Sequence, residues 1–215
     1  MLAEIALKKG VDNSVERVYT LEEYLKLEET ATFKSEFVNG KIIPMSGGTI
    51  NHSRIKIVIA SLLYLGLMDK EEMEVLDSDL KIYIPPYNRS VYPDTCVVTE
   101  KPDLYNNNPH AITNPTLVVE VTSKSTGDYD RRGKFRMYQS LPSFTEYVLV
   151  DQNTPVIDVF YKIAEHKWQM TSYVGLDKIV TLDSLGITLN MADIYKKVTN
   201  LKDPQLAIDF PENED

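Results

Sequence analysis

Two carboxylates beside apolar runs are the residues of this sequence that could do chemistry. Asp94 stands between Pro93 and a short apolar run, and Glu120 lies inside the β-branched stretch from Thr116 to Thr122. A charge within a strand that is buried on both faces is costly unless it is paired or binds a cation. If the two strands are neighbours, the carboxylates can converge on one hard cation, because Mg²⁺ is usually held by one or two carboxylates with water and phosphate. Bound there, the cation would polarise a phosphodiester and lower the pKa of a bound water.

The residues alone leave a structural explanation open for each acid. Asp94 could cap or turn the chain after its proline, and Glu120 could pair with a buried arginine. The three histidines show no metal-ligand spacing, so we expect His52, His110 and His166 to be structural or exposed.

A charged segment follows Glu120 and supplies positive side chains that could assist the carboxylates. A polar turn over 123–127 leads to a predicted helix that opens on Asp128. Asp130, Lys134 and Tyr138 stand at i, i+4 and i+8 and therefore share one face of that helix. Spacing alone favours a surface salt bridge between Asp130 and Lys134. Three arginines of the same helix could contact phosphate, although a solvated face is favoured for them: Arg131, Arg132 and Arg136.

Capping and turn signals mark the elements near the beginning of the chain. Thr20 and Glu23 form a capping-box pattern, which predicts a short helix through Leu27. Asn39-Gly40 is the strongest two-residue turn signal, and it predicts a hairpin over 34–45. These two elements would precede the first long helix.

That longer helix is predicted from Asn51, as its cap, to about Met68. Its apolar surface is wide and should be well packed: Ile55, Ile57, Val58, Leu62, Leu63 and Leu67. Apolar runs predict the strands, the last three of which form a meander: 75–84, 93–98, 116–122, 146–151, 156–161 and 168–173. One helix, several strands, a crossover helix and more strands indicate an α/β or α+β fold with a mixed sheet.

Composition limits the class of protein. The 215 residues suit an arm over 1–18, a single domain over 19–200 and an acidic tail over 201–215. No apolar run approaches the roughly 18 residues of a membrane helix. The single cysteine, Cys96, excludes an internal disulfide and a cysteine cluster for zinc, and we expect a cytoplasmic protein. The net charge of −9 argues against a broad, non-specific DNA-binding surface but leaves room for a local basic groove.

The ordered set of motifs resembles a known group of nucleases. A Pro-Asp pair followed by a glutamate in a Val-Val-Glu-Val strand looks like the PD-(D/E)xK nuclease signature. Over roughly Leu21 to Lys196 the chain is similar to the Uma-two family of restriction-endonuclease-like proteins. The motifs that carry this resemblance are Glu36-Phe37-Val38-Asn39-Gly40-Lys41, Pro93-Asp94, Val118-Val119-Glu120-Val121-Thr122-Ser123 with Ser125-Thr126, then Asp130, Lys134 and Tyr138, and Glu146-Tyr147-Val148-Leu149-Val150-Asp151.

The resemblance implies a restriction-endonuclease-like core, a mixed sheet flanked by helices, and a metal site. By resemblance, Asp94 and Glu120 are the metal carboxylates, the carbonyl of Val121 is a further ligand, and Glu36 is an acid that can approach the same metal. The implied ion is Mg²⁺, for which Mn²⁺ can substitute. From its sequence position alone, Glu36 is explained equally well as a surface acid beside the hairpin.

The chain departs from the signature at its lysine. The signature places a lysine two residues after the glutamate, where Thr122 stands. Lys124 lies four residues after Glu120, about 13 Å along a strand, so it would reach the site only if the chain turns back. The resemblance favours Lys134 as a lysine relocated onto the helix.

The leading hypothesis is a Mg²⁺-dependent phosphodiesterase that acts on DNA. Asp94 and Glu120 would hold the metal, and Lys134 would orient water or stabilise charge. One alternative is a catalytically vestigial member of the same fold that acts as a binding or regulatory module. Another is a structural protein that assembles through a sheet edge. Because a meander leaves a strand edge and nucleases that cut both strands use two sites, we expect a homodimer.

Overall fold

The computed structural model describes residues 17–122 and 129–204, and within them the chain forms four α-helices and thirteen strands. The helices are α1 (Leu21–Glu28), α2 (Ile50–Leu67), α3 (Phe135–Tyr138) and α4 (Met191–Ile194). The strands are β1 (Ser35–Val38), β2 (Lys41–Pro44), β3 (Glu74–Asp77), β4 (Lys81–Ile84), β5 (Arg89–Val91), β6 (Thr95–Val98), β7 (Ala111–Ile112), β8 (Leu117–Thr122), β9 (Glu146–Asp151), β10 (Val156–Ala164), β11 (Lys167–Val174), β12 (Ile179–Leu182) and β13 (Ile187–Asn190). A π-helix over Tyr129–Lys134 leads directly into α3.

The strands are divided over three sheets. A six-stranded sheet has the order β11-β10-β9-β8-β6-β3, and only its β8–β9 pair is parallel. A five-stranded sheet has the order β2-β1-β5-β4-β7, and β12 pairs with β13. Mixed sheets with a few flanking helices confirm the predicted α+β class. The described residues form three sheets, whereas the prediction was a single mixed sheet.

The local signals near the beginning of the chain form as predicted. The Thr20 hydroxyl accepts from the Glu23 N–H, and the Glu23 carboxylate accepts from the Thr20 N–H, which completes the capping box. At the β1–β2 turn, Asn39 and Gly40 both have positive φ, at 46° and 89°. A two-residue hairpin turn with both central φ values positive matches the twist of the strands, which explains the Asn-Gly pair.

The strand predicted over 75–84 is wrong, because the chain turns in its middle. β3 and β4 belong to different sheets. The Asp77 carboxylate accepts from the Asp79 N–H at 3.0 Å, and the Asp77 carbonyl accepts from the Leu80 N–H. This turn, closed by an aspartate side chain, interrupts the apolar run.

Two details of the α2 prediction are also wrong. The helix is capped by Thr49, whose hydroxyl accepts from the His52 N–H, whereas the Asn51 side chain donates to the Thr199 carbonyl. Ile57 was predicted to be packed but is 63% exposed. Because apolar residues surround the helix, the pattern did not identify the packed face. That face consists of Ile55, Ile59, Leu63 and Leu67.

Strand β8 lies between two apolar cores. Val119 and Val121 pack in the core that includes α2, whereas Val118 packs in the core that includes α3 and the five-stranded sheet. Because successive side chains of a strand point to opposite faces, Glu120 shares the face of Val118. The carboxylate is therefore directed toward α3.

Several predictions fall largely outside the described residues. These are the arm over 1–18, the turn over 123–127, the helix start at Asp128 and most of the tail over 201–215, so the domain boundaries stay predictions. Among the described residues, no helix has the length and apolar character needed to cross a membrane.

Candidate active site

Glu120 and Lys134 form a buried ion pair at the centre of the candidate site. The Lys134 ammonium donates to Glu120 Oε1 at 3.1 Å, and the Tyr138 hydroxyl donates to the same oxygen at 3.2 Å. All three residues are buried. Glu120 is therefore paired with a lysine of the following helical segment and not with a buried arginine.

The π-helix brings Lys134 to this position. Asp130 Oδ1 lies 3.5 Å from Lys134 Nζ, so Asp130, Lys134 and Tyr138 share one face as predicted. The predicted surface salt bridge is wrong in its location, because Asp130 and Lys134 are both buried. The Tyr147 hydroxyl donates to the Asp130 carbonyl at 3.0 Å and fixes the segment to the six-stranded sheet. A π-helical turn of this kind is frequently found at functional sites.

Glu36 approaches the same lysine from β1. Its Oε1 lies 3.7 Å from Lys134 Nζ, and the side chain is 13% exposed. The explanation of Glu36 as a surface acid is therefore wrong. Its contact with Lys134 places the ammonium between Glu36 and Glu120, and the role of Glu36 as a metal ligand stays a prediction.

The acids around Lys134 outnumber the positive charges, and this imbalance shifts the pKa values of the cluster. Burial raises the pKa of Glu120 well above its ordinary value, Asp130 and Asp94 raise it further, and Lys134 opposes the shift. Burial also raises the pKa of Glu36. For Lys134, burial favours the neutral amine, but the nearby carboxylates outweigh burial and raise the pKa above its ordinary value. Lys134 is therefore protonated at neutral pH.

Asp94 lies beside Glu120 because β6 and β8 are antiparallel neighbours. Thr95 is paired with Val119, so the preceding and following residues, Asp94 and Glu120, stand side by side. Asp94 Oδ2 accepts from the Val121 N–H at 2.8 Å. The two acidic strands are therefore neighbours, which is the condition for their carboxylates to converge.

His52 contacts the site, although its position in the sequence did not predict this. Its Nε2 lies 3.1 Å from Asp94 Oδ2, and both side chains are largely buried. Only the packing of the first turn of α2 against the start of β6 brings the pair together, so residue spacing gave no signal for it. The expectation that His52 is structural or exposed is therefore incomplete.

Arg89 and Tyr129 border the same cluster and were also missed. The Arg89 guanidinium donates to the Tyr129 hydroxyl at 3.1 Å, and the Lys134 ammonium lies 5.8 Å from the centre of the Tyr129 ring. Of the helix arginines, Arg131 is paired with the buried Asp158 at 2.5 Å, which anchors the π-helix. Arg132 and Arg136 are exposed, as a solvated face requires.

The donor atoms near Asp94 and Glu120 can be compared with the needs of a hard cation. Among the described residues, Asp94 accepts hydrogen bonds through Oδ2 and Glu120 accepts them through Oε1. The second oxygen of each carboxylate takes part in none of these bonds. Two carboxylate oxygens and the Val121 carbonyl suit Mg²⁺ in ligand type. In the ranges 17–122 and 129–204, however, no three side chains of His, Cys, Asp or Glu form a group that could hold a metal. A metal here would therefore depend on two side chains, a main-chain oxygen and water.

Comparison with known proteins identifies the family. The model of the Uma2 (Uma-two) family, described as "Putative restriction endonuclease", matches residues 21–192. The chain belongs to this family. Lys124, the other candidate lysine of the site, lies outside the described residues. The family match does not decide between Lys124 and Lys134.

Two proteins of Synechocystis sp. (strain ATCC 27184 / PCC 6803 / Kazusa) are relatives of this Uma2 chain. Uncharacterized protein sll1609 is 36% identical over 159 residues, covering 74% of this chain and 89% of the relative. Uncharacterized protein slr1290 is 37% identical over 175 residues, covering 81% and 90%. The crystal structure of a "putative nuclease belonging to DUF820" from Anabaena variabilis superposes with a TM-score of 0.66 at 18% identity, covering 82% of this chain and 97% of that one. At this identity the superposition supports the nuclease-like fold.

Proposed function

We propose that the protein is a metal-dependent endonuclease that hydrolyses phosphodiester bonds of DNA. The observation that carries the proposal is the contact of Lys134 with Glu120, directly beside Asp94 at the same end of β6 and β8. A buried lysine and two adjacent acids match the roles that the signature assigns, although the lysine comes from the helical segment. Family membership supports the same reaction class.

Asp94, Glu120 and the Val121 carbonyl would hold Mg²⁺ or Mn²⁺. When bound, the ion would polarise the phosphate and lower the pKa of a coordinated water. The excess of carboxylates around Lys134 supports this assignment, because a divalent cation would offset the repulsion between Asp94 and Glu120. His52 would fix the orientation of Asp94 through its contact with Oδ2.

Lys134 would act on the nucleophile or on the phosphate. Its ammonium stays charged at neutral pH and is held by Glu120, so it can orient an attacking water and stabilise negative charge that develops on the phosphate. Tyr138 shares Glu120 Oε1 and limits the rotation of that carboxylate. The exposed Arg132 and Arg136 could contact the phosphate backbone of DNA.

A vestigial site that binds without cutting is the second candidate. Two observations favour it: the missing group of three ligand side chains among the described residues, and the net charge of −9. Binding of metal distinguishes the two candidates, since a vestigial site would have no need of Mg²⁺ or Mn²⁺.

The test is a panel of labelled double-stranded DNA, single-stranded DNA and RNA, incubated with the purified chain and either Mg²⁺ or Mn²⁺. We expect cleavage of DNA that EDTA abolishes and that Asp94→Asn reduces at least about a hundredfold. The exposed loop substitution Asp103→Asn serves as the matched control and should cut like wild type. Millimolar Mn²⁺ should raise the melting temperature of wild type but not of Asp94→Asn. Absence of both cleavage and a Mn²⁺ shift would favour the vestigial module.

A further inference from the structure

The outward face of α2 is apolar although it faces solvent. On the 18-residue helix and its C-cap residue, five large apolar side chains that are 60–72% exposed lie on this side: Ile50, Ile57, Tyr64, Leu65 and, at the C-cap, Met68. Ser53 and Ser61 continue the stripe at helical spacing, and Arg54 lies beside it toward its amino-terminal end. A helix that is apolar on all sides is normally covered on all sides. We call these seven residues the α2 face.

A groove beside the α2 face offers room for an inserted side chain. It has a volume of about 420 Å³ and lies between α2 and β3, the edge strand of the six-stranded sheet. Its lining is mostly apolar: Ala60, Ser61, Tyr64, Leu65, Val75 and Asp77. The α2 face and the groove form one continuous surface, because Ser61, Tyr64 and Leu65 belong to both.

Charges of opposite sign lie toward the two ends of α2. Arg54 and Lys56 lie in its amino-terminal half, whereas Asp69, Glu71 and Glu72 follow its carboxyl end and are exposed. The Arg54 guanidinium donates to the neutral side chains of Asn51 and Thr199, at 3.4 and 3.3 Å. A second helix lying antiparallel would bring its acidic end to the basic end of the first.

We infer that the α2 face binds a second copy of this chain, with the two helices antiparallel about a two-fold axis near Ser61. The small side chains of Ala60 and Ser61 permit close approach at the axis. Ile57 and Leu65 lie one turn to either side of Ser61, so each would pack against the other residue of the second copy. The self-complementary charges favour a second copy over an unrelated protein. This surface differs from the predicted dimer at the meander, and the inference does not depend on nuclease activity.

Mass measurement of the full chain at micromolar concentration tests the inference. Light scattering should give twice the 24.5 kDa of the chain. Tyr64→Glu and Leu65→Glu, at exposed positions, should each raise the dimer dissociation constant at least about tenfold while leaving the melting temperature near that of wild type. Met170→Glu is the matched control, since Met170 is 50% exposed on the meander strand β11 and its substitution should leave the dimer intact.

Cross-linking and charge exchange test the position of the axis and the orientation of the helices. Ser61→Cys should form a disulfide-linked dimer under mild oxidation, whereas the exposed Thr188→Cys on β13 should not. The native Cys96 is fully buried and should not contribute. Arg54→Glu should weaken the dimer, and adding Asp69→Arg should restore it if the helices are antiparallel.

A mass of 24.5 kDa for the wild-type chain would overturn the inference. A dimer that survives both α2 substitutions but is lost in Met170→Glu would assign the interface to the meander instead. A monomer whose Ser61→Cys thiol is protected from alkylation would show that another part of the same chain covers the α2 face.

Discussion

Strand β1 separates two buried clusters of charged side chains that are similar in composition and different in balance. On one face, Glu36 joins Glu120 and Asp130 around Lys134, which we call the Lys134 cluster. On the other face, the neighbouring residue Ser35 contacts Glu28, which with Lys81 and Tyr92 forms what we call the Lys81 cluster. Each cluster contains a buried lysine near a buried glutamate. Any difference between the two clusters must therefore have a cause other than the burial of an ion pair.

The Lys81 cluster is satisfied within itself. Ser35 and Tyr92 each donate to the Glu28 carboxylate at 2.6 Å, and the Lys81 ammonium lies 3.8 Å from it. Burial lowers the pKa of Lys81, and the attraction of Glu28 only partly compensates. One acid faces one lysine and joins α1 to the five-stranded sheet. This arrangement is typical of a structural ion pair.

The Lys134 cluster carries more negative charge than its lysine can balance. Three carboxylates surround one ammonium, the pKa of Lys134 is raised, and that of Glu120 is raised by burial together with the nearby acids. An additional cation would stabilise this cluster, and the cluster keeps a charged lysine beside an acid. Both properties are typical of a catalytic site. Balance of charge, and not burial alone, therefore distinguishes the two clusters.

The largest expected difference concerns the two lysines. Lys134→Met should reduce DNA cleavage at least about a hundredfold while Mn²⁺ binding persists, because the ammonium assists the reaction but does not hold the metal. Lys81→Met should lower the free energy of unfolding by about 3 kcal/mol and leave the activity of the folded fraction unchanged. Cleavage assays with melting curves measure both.

Two further outcomes would decide the lysine assignment differently. Lys124→Ala should keep most activity, and loss of cleavage in that variant instead of Lys134→Met would assign the role to the loop lysine. If Lys81→Met also lost cleavage without unfolding, the distinction between the two clusters would fail.

A smaller effect is expected when each glutamate is neutralised. Glu28→Gln should lower the free energy of unfolding by about 1–3 kcal/mol, because the carboxylate accepts two short hydrogen bonds and faces Lys81. Glu120→Gln should change stability by less than about 1 kcal/mol in EDTA, since Lys134 keeps Glu36 and Asp130, yet it should lose cleavage. Urea unfolding in EDTA measures the pair, and a large loss of stability in Glu120→Gln would make it a structural partner.

Much of the Lys134 cluster was predictable from the sequence, for specific reasons. The apolar surroundings of Glu120 indicated a buried strand, and the helical spacing of Asp130, Lys134 and Tyr138 placed them on one face. Both are local patterns with a fixed period. The resemblance to the family then supplied the link between Glu120 and Lys134, which spacing alone had interpreted as a surface salt bridge.

The Lys81 cluster and the contact of His52 with Asp94 were not predictable in the same way. Each joins residues from separate elements, and Lys81 was lost within an apolar run that was interpreted as a single strand. The side chain of Asp77 turns the chain there and sends β4 to the other sheet. The exposure of the α2 face was not predicted, for a related reason. Where apolar residues surround a helix, their periodicity does not show which side is packed.

The smallest expected effect is the pH dependence of stability, and its sign follows from the raised pKa values of Glu120 and Glu36. Between the ordinary value of 4.5 and the raised value in the folded chain, the folded state binds more protons than the unfolded state. The free energy of unfolding in EDTA should therefore fall as pH rises through this window. Lys134 does not alter this slope, because its contribution is fully present below 10.5.

Glu120→Gln should flatten the slope, because it removes one of the groups that take up protons on folding. Glu146 also has a pKa raised by burial, and it contributes equally to wild type and to Glu120→Gln. Urea unfolding in EDTA at several pH values between 5 and 8 provides the measurement. A wild-type slope in Glu120→Gln would mean that Glu120 is not the acid that titrates, and the charge imbalance assigned to the Lys134 cluster would then have to reside on Glu36.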